Sequence, residues 1–152
     1  MSFKTTVPQS TREGRSSDTE RQRELDQLRA FANQAVHTVR TLKTESSNTL
    51  ETIWRSETFP VSTTATVQVK IQGSSVDGTK YGVYEKVAVF RRGASGDAAQ
   101  IGSTIDKHTP FESDAAIDAT VSVVDNRILV KVSDGGVATM NWKAWIEMRI
   151  AQ

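Results

Sequence analysis

The stretch VSTTATVQVKIQ, residues 61–72, decides the fold of the larger part of this 152-residue chain. Every second residue in it is apolar or a threonine: Val61, Thr63, Ala65, Val67, Val69 and Ile71. Because side chains alternate between the two faces of a β-strand, this spacing predicts a strand with one buried face. Comparable stretches, separated by turn-forming residues, follow at residues 81–91, 99–105, 117–123, 128–132 and 140–150. Six strands with no helical pattern between them predict an all-β antiparallel sandwich, jelly-roll-like, over residues 57–152.

Upstream of Pro60 the apolar residues follow a different period. Residues at alternating separations of three and four form a seam: Leu25, Leu28, Ala32, Ala35, Val39, Leu42 and Ile53, with Ser46 and Thr49 at two weaker positions. This heptad spacing predicts a coiled-coil helix over residues 18–56, and Ser17 with Glu20 fits a capping box at its start. A helix of this length needs partner helices, and its wide apolar stripe favours a trimer over a dimer. The alternative is a single helix lying across its own β-domain.

Residues 1–17 are rich in Ser, Thr, Arg and Gly and carry almost no apolar side chain after Val7. Such a segment cannot bury enough surface to offset its ordering entropy, so it is predicted to be a flexible arm. Two interpretations stay open: an unattached terminus, or an arm that anchors the protein by becoming ordered on a partner.

Composition excludes several classes of partner and site. The net charge of +1 leaves no global field for nucleic acid. The absence of cysteine removes disulfides, thiolate metal sites and thiol nucleophiles. No apolar run approaches the length of a membrane span, and residues 1–6 show no secretory signal. We therefore expect a protein made in a cytoplasm that binds neither nucleic acid nor membrane.

No set of residues in the sequence predicts catalysis, a cofactor or a metal. The two histidines are His37, expected on a solvated helix surface, and His108. His108 lies in a loop with three carboxylates at a spacing that matches no defensible ligand pattern: Asp106, Glu112 and Asp114. The glycine-containing segment 93–96 precedes no helix and is better interpreted as a turn than as a phosphate-binding loop. The sequence predicts that the protein is not an enzyme.

Three aromatic residues are candidates for contact with a partner. On the last strand Trp142 shares a face with the apolar residues, whereas Trp145 falls on the opposite face. An outward Trp145 is predicted to make an intersubunit contact in preference to stacking on a sugar. Trp54 is expected to plug the base of the helical bundle, and Tyr84 is a second candidate for stacking on a glycan.

Residues 81–150 resemble the small β-domains that end many tailed-bacteriophage fibre, spike and head-appendage proteins. The features that carry the resemblance are Phe90-Arg91-Arg92-Gly93, Gln100-Ile101-Gly102-Ser103, a Val/Ile hairpin over 121–132, and Trp142-Lys143-Ala144-Trp145-Ile146-Glu147. The resemblance implies a structural virion protein, assembled in the host cytoplasm. The expected form is a homotrimeric short fibre or appendage whose arm docks on a capsid, neck or tail protein. The alternative function is a glycan-binding module that recognises a host receptor through exposed aromatic side chains.

Overall fold

The computed structural model describes residues 19–25 and 35–152. Residues 19–25 form a short helix. The second part, Ala35–Gln152, is a compact unit of its own and contains every described strand. The anchoring arm over residues 1–17, the capping residue Ser17 and the seam residues Leu28 and Ala32 lie outside the described residues.

In the described part of the chain, nine strands form two antiparallel sheets. In chain order they are β1 (Val36–Glu45), β2 (Glu51–Arg55), β3 (Thr63–Ser75), β4 (Tyr81–Arg92), β5 (Ala99–Asp106), β6 (Phe111–Glu112), β7 (Asp118–Val124), β8 (Arg127–Ser133) and β9 (Thr139–Ala151). Sheet A has the strand order β1-β9-β3-β4-β5, and β6 also pairs with β4. Sheet B has the order β2-β8-β7. The long strands β3 and β9 are adjacent at the centre of sheet A and pair over twelve residues, from Thr64–Ala151 to Ser75–Met140.

The core lies between the two sheets. Alternation along β3 buries Thr63, Ala65, Val67, Val69 and Ile71, five of the six residues that predict this strand; the sixth, Val61, precedes β3 and is 50% exposed. Sheet B contributes apolar residues such as Val130 and Val132 to the same cluster. The face of sheet A that carries these core residues is called here the inner face. The opposite face, which has no second layer within the described part of the chain, is the outer face.

Trp142 is the largest fully buried side chain and fixes the packing of β9 against β3 and β1. Its indole Nε1 donates a hydrogen bond to Thr44 Oγ1 at 3.2 Å, and Thr44 is itself buried on β1. The backbone of Gly73 on β3 lies against the indole ring, since a Cβ at that position would stand 2.5 Å from two ring carbons. The indole therefore occupies the space that any larger residue at Gly73 would need.

The predicted coiled-coil helix over residues 18–56 is wrong. Residues 36–45 and 51–55 form strands β1 and β2, and β1 pairs with β9 from Val36–Met148 to Glu45–Thr139 without a shift in register. Five of the ten residues of β1 are β-branched, which favours a strand, and the ladder to β9 satisfies its backbone hydrogen bonds on one side. A separation of three residues places Val39 and Leu42 on opposite faces of a strand, so these residues form no common seam.

The other predicted seam residues are also dispersed. Leu25 is in the short helix 19–25 and is 49% exposed. Ala35 precedes β1, and Ile53 is buried in the core of the β-domain. The helical seam was the main argument for a trimer, and that argument is lost with it. Within residues 19–25 and 35–152, no helix has the length and apolar character that crossing a membrane requires.

Candidate functional site

The outer face of sheet A carries a groove that crosses β1, β9 and β3. We call it the Trp145 groove; its volume is about 150 Å³, and it is lined by His37, Thr38, Val39, Gln68, Lys70, Trp145, Ile146 and Glu147. The strand register produces this cluster, because Trp145 lies directly between Val39 on β1 and Lys70 on β3. In the next outer-face row Glu147 lies between His37 and Gln68.

The indole of Trp145 is half-buried and forms the apolar part of the groove. It lies on the outer face because β9 alternates, with Ala144 and Ile146 buried on the inner face to either side. The ammonium group of Lys143, two residues earlier on the same face, stands 5.0 Å from the centre of the indole ring. This distance is within the range of a cation–π interaction.

Polar side chains surround the indole. Glu147 accepts a hydrogen bond from Arg149 Nε at 2.6 Å, and His37 Nδ1 lies 3.8 Å from its second carboxylate oxygen. Gln68 donates from Nε2 to Glu85 Oε1 at 3.1 Å, across the gap between β3 and β4. The groove thus combines one aromatic face with an amide, a carboxylate, an imidazole and the ammonium group of Lys70, and the ammonium group of Lys143 lies next to the indole.

Glu85 is the centre of a charge cluster beside the groove. Its carboxylate lies 3.9 Å from Lys70 Nζ, 3.6 Å from Lys107 Nζ and 3.8 Å from His108 Nε2. His108 also packs its ring against Phe111, with 5.5 Å between ring centres. Two lysines share one carboxylate, so this cluster keeps a net positive charge.

A second surface lies on the same face, on the other side of β3. We call it the apolar patch, and it consists of Val83, Val87, Val89, Ile101, Ile105 and Phe111. The register pairs Val89 with Ile101, Val87 with Ile105 and Val83 with Phe111, which places the members of each pair side by side. Ile101, Ile105 and Phe111 are 49%, 62% and 63% exposed. Glu85 lies on the same face between Val83 and Val87, so the patch has two parts, the Val83–Phe111 pair and the group on β4 and β5. Exposed apolar clusters of this kind mark interaction surfaces.

The other two predicted aromatic contacts are in the interior. Trp54 and Tyr84 are 8% and 2% exposed and belong to the core of the sandwich, so neither presents a surface to a glycan or a second subunit. The hydroxyl of Tyr84 lies 2.8 Å from both the Ile117 carbonyl and Glu112 Oε2. Burial, and then the neighbouring Glu112 carboxylate, raise the pKa of Tyr84 far above its ordinary value.

The four residues of the loop that contains His108 point to different partners. Asp106 pairs with Lys86 at 2.7 Å, and Asp114 pairs with Lys80 at 3.3 Å, whereas Glu112 contacts Tyr84 and His108 contacts Glu85. Among the described residues no group of three or more His, Asp or Glu side chains is arranged to hold a metal ion.

Sequence reasoning placed Trp145 on the outward face of the last strand but did not identify the groove around it or the apolar patch across β3. The groove needs His37 and Val39 from β1, a segment that was predicted to be helical. The apolar patch had a signal in the sequence. Residues 81–90 carry apolar side chains at consecutive positions, Val87, Ala88, Val89 and Phe90, and this pattern indicates a strand with contacts on both faces.

Comparison with known proteins gives two solved structures. One is the tailspike protein of Acinetobacter baumannii phage AM24, with 13% identity, 76% of this chain covered and a TM-score of 0.44. The other is the tailspike protein gp49 of Acinetobacter baumannii bacteriophage Fri1, described as a capsular polysaccharide depolymerase, with 10% identity, 78% covered and a TM-score of 0.33. The matches span 26% and 20% of those longer chains. No protein-family model and no curated protein matches this sequence.

Both similar structures are described as phage tailspike proteins. The second is described as an enzyme. The prediction that this chain is not an enzyme conflicts with that finding, and we therefore withdraw it.

Proposed function

We propose that residues 35–152 are a glycan-binding attachment domain of a tailed-phage virion protein, with Trp145 as the surface on which a sugar ring stacks. The observation that carries the proposal is a half-exposed indole in a groove whose walls carry hydrogen-bonding side chains. A pyranose ring has an apolar C–H face and a polar rim, so it matches an aromatic surface bordered by groups such as Gln68, His37 and Glu147. The virion context is supported by the sequence resemblance of residues 81–150.

The surroundings of Trp145 favour a glycan over the intersubunit contact that the sequence predicts. A dry subunit interface at this position would remove Lys70, Lys143 and Glu147 from water. This desolvation costs free energy unless the partner subunit supplies opposite charges. A glycan brings its own hydroxyl groups and waters into the groove and leaves those charges hydrogen-bonded. The centres of protein interfaces are depleted in such charged residues.

The test is binding of purified protein to a glycan array, followed by titration of the bound glycans by isothermal titration calorimetry. Covering roughly 100 Å² of the indole at about 25 cal/mol per Å² is worth about 2.5 kcal/mol, so Trp145→Ala should weaken binding by up to ~60-fold. Tyr81→Ala is the matched control, because Tyr81 is a half-exposed aromatic residue of sheet A outside the groove. Equal affinity of the parent and Trp145→Ala would contradict the proposal, as would the absence of any bound glycan.

The apolar patch supports a second function, self-association of the domain. The partner that fits is a second copy of this chain, because most of the charges beside the patch are already paired internally. Glu85 is paired with Lys70 and Asp106 with Lys86, and the one excess cation beside the patch, Lys107, is 44% exposed, so each copy brings a single uncompensated charge to the border of the contact. The exposed parts of Ile101, Ile105 and Phe111 add up to a few hundred Å², enough for the apolar centre of a standard interface.

Sedimentation velocity tests self-association directly. Ile105→Ser with Phe111→Ser should shift the protein toward monomer, whereas Val124→Ser on sheet B removes an apolar side chain of similar exposure and should not. An unchanged mass for the double variant would remove the apolar patch from the assembly. A patch that meets an identical patch makes a two-fold contact and by itself gives a dimer, so the predicted homotrimer remains a proposal without support from this patch.

Anchoring to a capsid, neck or tail protein is also proposed, from the composition of residues 1–17 alone. A variant without residues 1–17 should keep its oligomeric state and lose incorporation into particles. Equal incorporation of the full and shortened chains, measured on purified particles by immunoblot, would contradict the anchoring role.

A further inference from the structure

We infer that the Trp145 groove recognises an acidic sugar, with the sugar carboxylate held by the ammonium group of Lys143. The inference rests on the proposed glycan binding and adds the chemical class of the ligand. It comes from the charges around the indole. Positive charges outnumber negative ones there, and Lys143 has no ion-pair partner in the described parts of the chain whereas the nearby carboxylates do.

Lys143 is a cation without a carboxylate partner. It forms no ion pair with any residue in the described parts of the chain, and its ammonium group lies 5.0 Å from the centre of the Trp145 ring. Its neighbours in the same row are Thr41 on β1 and Gln72 on β3, which are uncharged. A charge in this position is available to a ligand that lies on the indole.

The carboxylates near the groove are occupied. Glu147 is bound by Arg149 at 2.6 Å, and Glu85 is shared by Lys70 and Lys107. Around the indole and Glu85 there are four cations, Lys70, Lys107, Lys143 and Arg149, against two carboxylates, Glu85 and Glu147, while the nearby Lys43 and Glu45 pair with each other. Four minus two leaves an excess of two positive charges on this part of the outer face, although the whole chain carries only +1.

The chemistry of an acidic sugar fits this arrangement. In a uronic acid the carboxylate is attached at the rim of the pyranose ring, while the C–H groups of the ring face are free to stack. A ring that stacks on Trp145 therefore places its rim toward the flanking side chains. The flexible stem of Lys143 lets its ammonium group exchange a weak cation–π contact for a charge-assisted hydrogen bond to the carboxylate.

The experiment compares each polysaccharide that binds with the same polysaccharide after its carboxylates have been reduced to primary alcohols. The probes are uronic-acid-containing bacterial polysaccharides, titrated at about 50 mM and about 300 mM salt, where screening differs strongly. We expect the acidic form to bind at least fivefold tighter at low salt, and the difference to shrink at high salt.

Three variants assign the effect to the groove. Lys143→Met keeps the length of the side chain and should abolish the difference between the acidic and reduced forms. Glu147→Gln should increase the preference for the acidic form. Lys131→Met on sheet B changes the net charge of the chain by the same amount as Lys143→Met and should have no effect.

The outcomes separate this inference from the proposed function. Equal binding of the acidic and reduced forms, or a preference that survives in Lys143→Met, would overturn the acidic-sugar inference and leave glycan binding intact. An equal loss in Lys131→Met would show attraction to the net charge alone and would also overturn it. Failure of both forms to bind would reject the glycan-binding proposal itself.

Discussion

Substitution of Gly73 by alanine tests the packing that holds the centre of sheet A. The added methyl carbon would stand 2.5 Å from two carbons of the Trp142 ring and 2.8 Å from a third. Ordinary carbon–carbon contact requires about 3.5–4.0 Å, so either the ring or the strand must move by about 1 Å. Trp142 has little room for this movement, because it is 1% exposed and its Nε1 is hydrogen-bonded to Thr44.

The magnitude follows from three contributions. Overpacking in a dense core costs about 1–3 kcal/mol, and displacement of the indole puts at risk a hydrogen bond worth roughly 1 kcal/mol. Replacing glycine also lowers the entropy of the unfolded chain, which offsets about 0.4–1 kcal/mol. The net expectation is a loss of about 2 kcal/mol in the free energy of unfolding, and therefore a fall in Tm of about 10 °C for a domain of this size.

Urea denaturation of Gly73→Ala, with Gly93→Ala as the control, measures this loss. A Cβ at Gly93 would meet one carbonyl oxygen at 3.5 Å, an ordinary contact, so the control should be nearly neutral. Trp142→Phe removes part of the ring, so in that background Gly73→Ala should cost less than about 0.5 kcal/mol. An unchanged midpoint for Gly73→Ala, or the same cost in both backgrounds, would refute the packing argument.

The remaining predictions concern single polar groups, each measured by urea denaturation. Thr44→Val keeps the shape of the side chain but leaves Trp142 Nε1 buried without its acceptor, so it should cost about 1–3 kcal/mol. Asp134 is fully buried; its Oδ1 accepts from Gly136 N at 2.8 Å, and its Oδ2 has no hydrogen-bond partner. Asp134→Asn keeps that acceptor and should be at least as stable as the parent, whereas Asp134→Ala should lose about 1–3 kcal/mol. Hydrogen bonds from Ser75 and Thr79 lower the pKa of Asp77 from 3.8 to about 2. The unfolded chain therefore binds a proton before the folded chain as the pH falls, and this carboxylate's contribution, complete above pH 4, should be lost through about pH 2. Asp77→Asn should make the stability less dependent on pH between those values, and an identical pH profile would contradict this assignment.

The part of the fold that the sequence predicts well is the part with a strict period of two. The buried residues of β3 and β9 occupy alternate positions, and in β9 they include Met140, Trp142, Ala144 and Ile146. In such strands one face meets the core and the other faces solvent, so the alternation of apolar and polar residues predicts both the strand and its buried face. The turns at residues 125–126 and 135–136 are equally local, since all four residues adopt positive φ in positions where the sequence has Asp, Asn or Gly.

The N-terminal strands could not be identified by the same reasoning because their burial is not periodic. In β1 only Thr44 is fully buried, so the strand has almost no hydrophobic alternation of its own. Its apolar residues Val39 and Leu42 are three apart, a spacing that fits a helical stripe and equally fits two faces of an edge strand. The strand is formed because β1 pairs with the edge of β9, and β9 is distant in sequence. The useful local signal was the five β-branched residues among ten.

Strand β3 also explains why two different surfaces fit on one sheet face. Its outer positions are polar, Thr66, Gln68, Lys70 and Gln72, and two of them, Gln68 and Lys70, form the wall of the Trp145 groove on the side of the apolar patch. Gln68 and Lys70 are both directed at Glu85. A second copy that covers the apolar patch would therefore meet a polar border before it reached the indole. The same border keeps a groove-bound sugar away from the subunit contact, so assembly and glycan binding can operate together on one face.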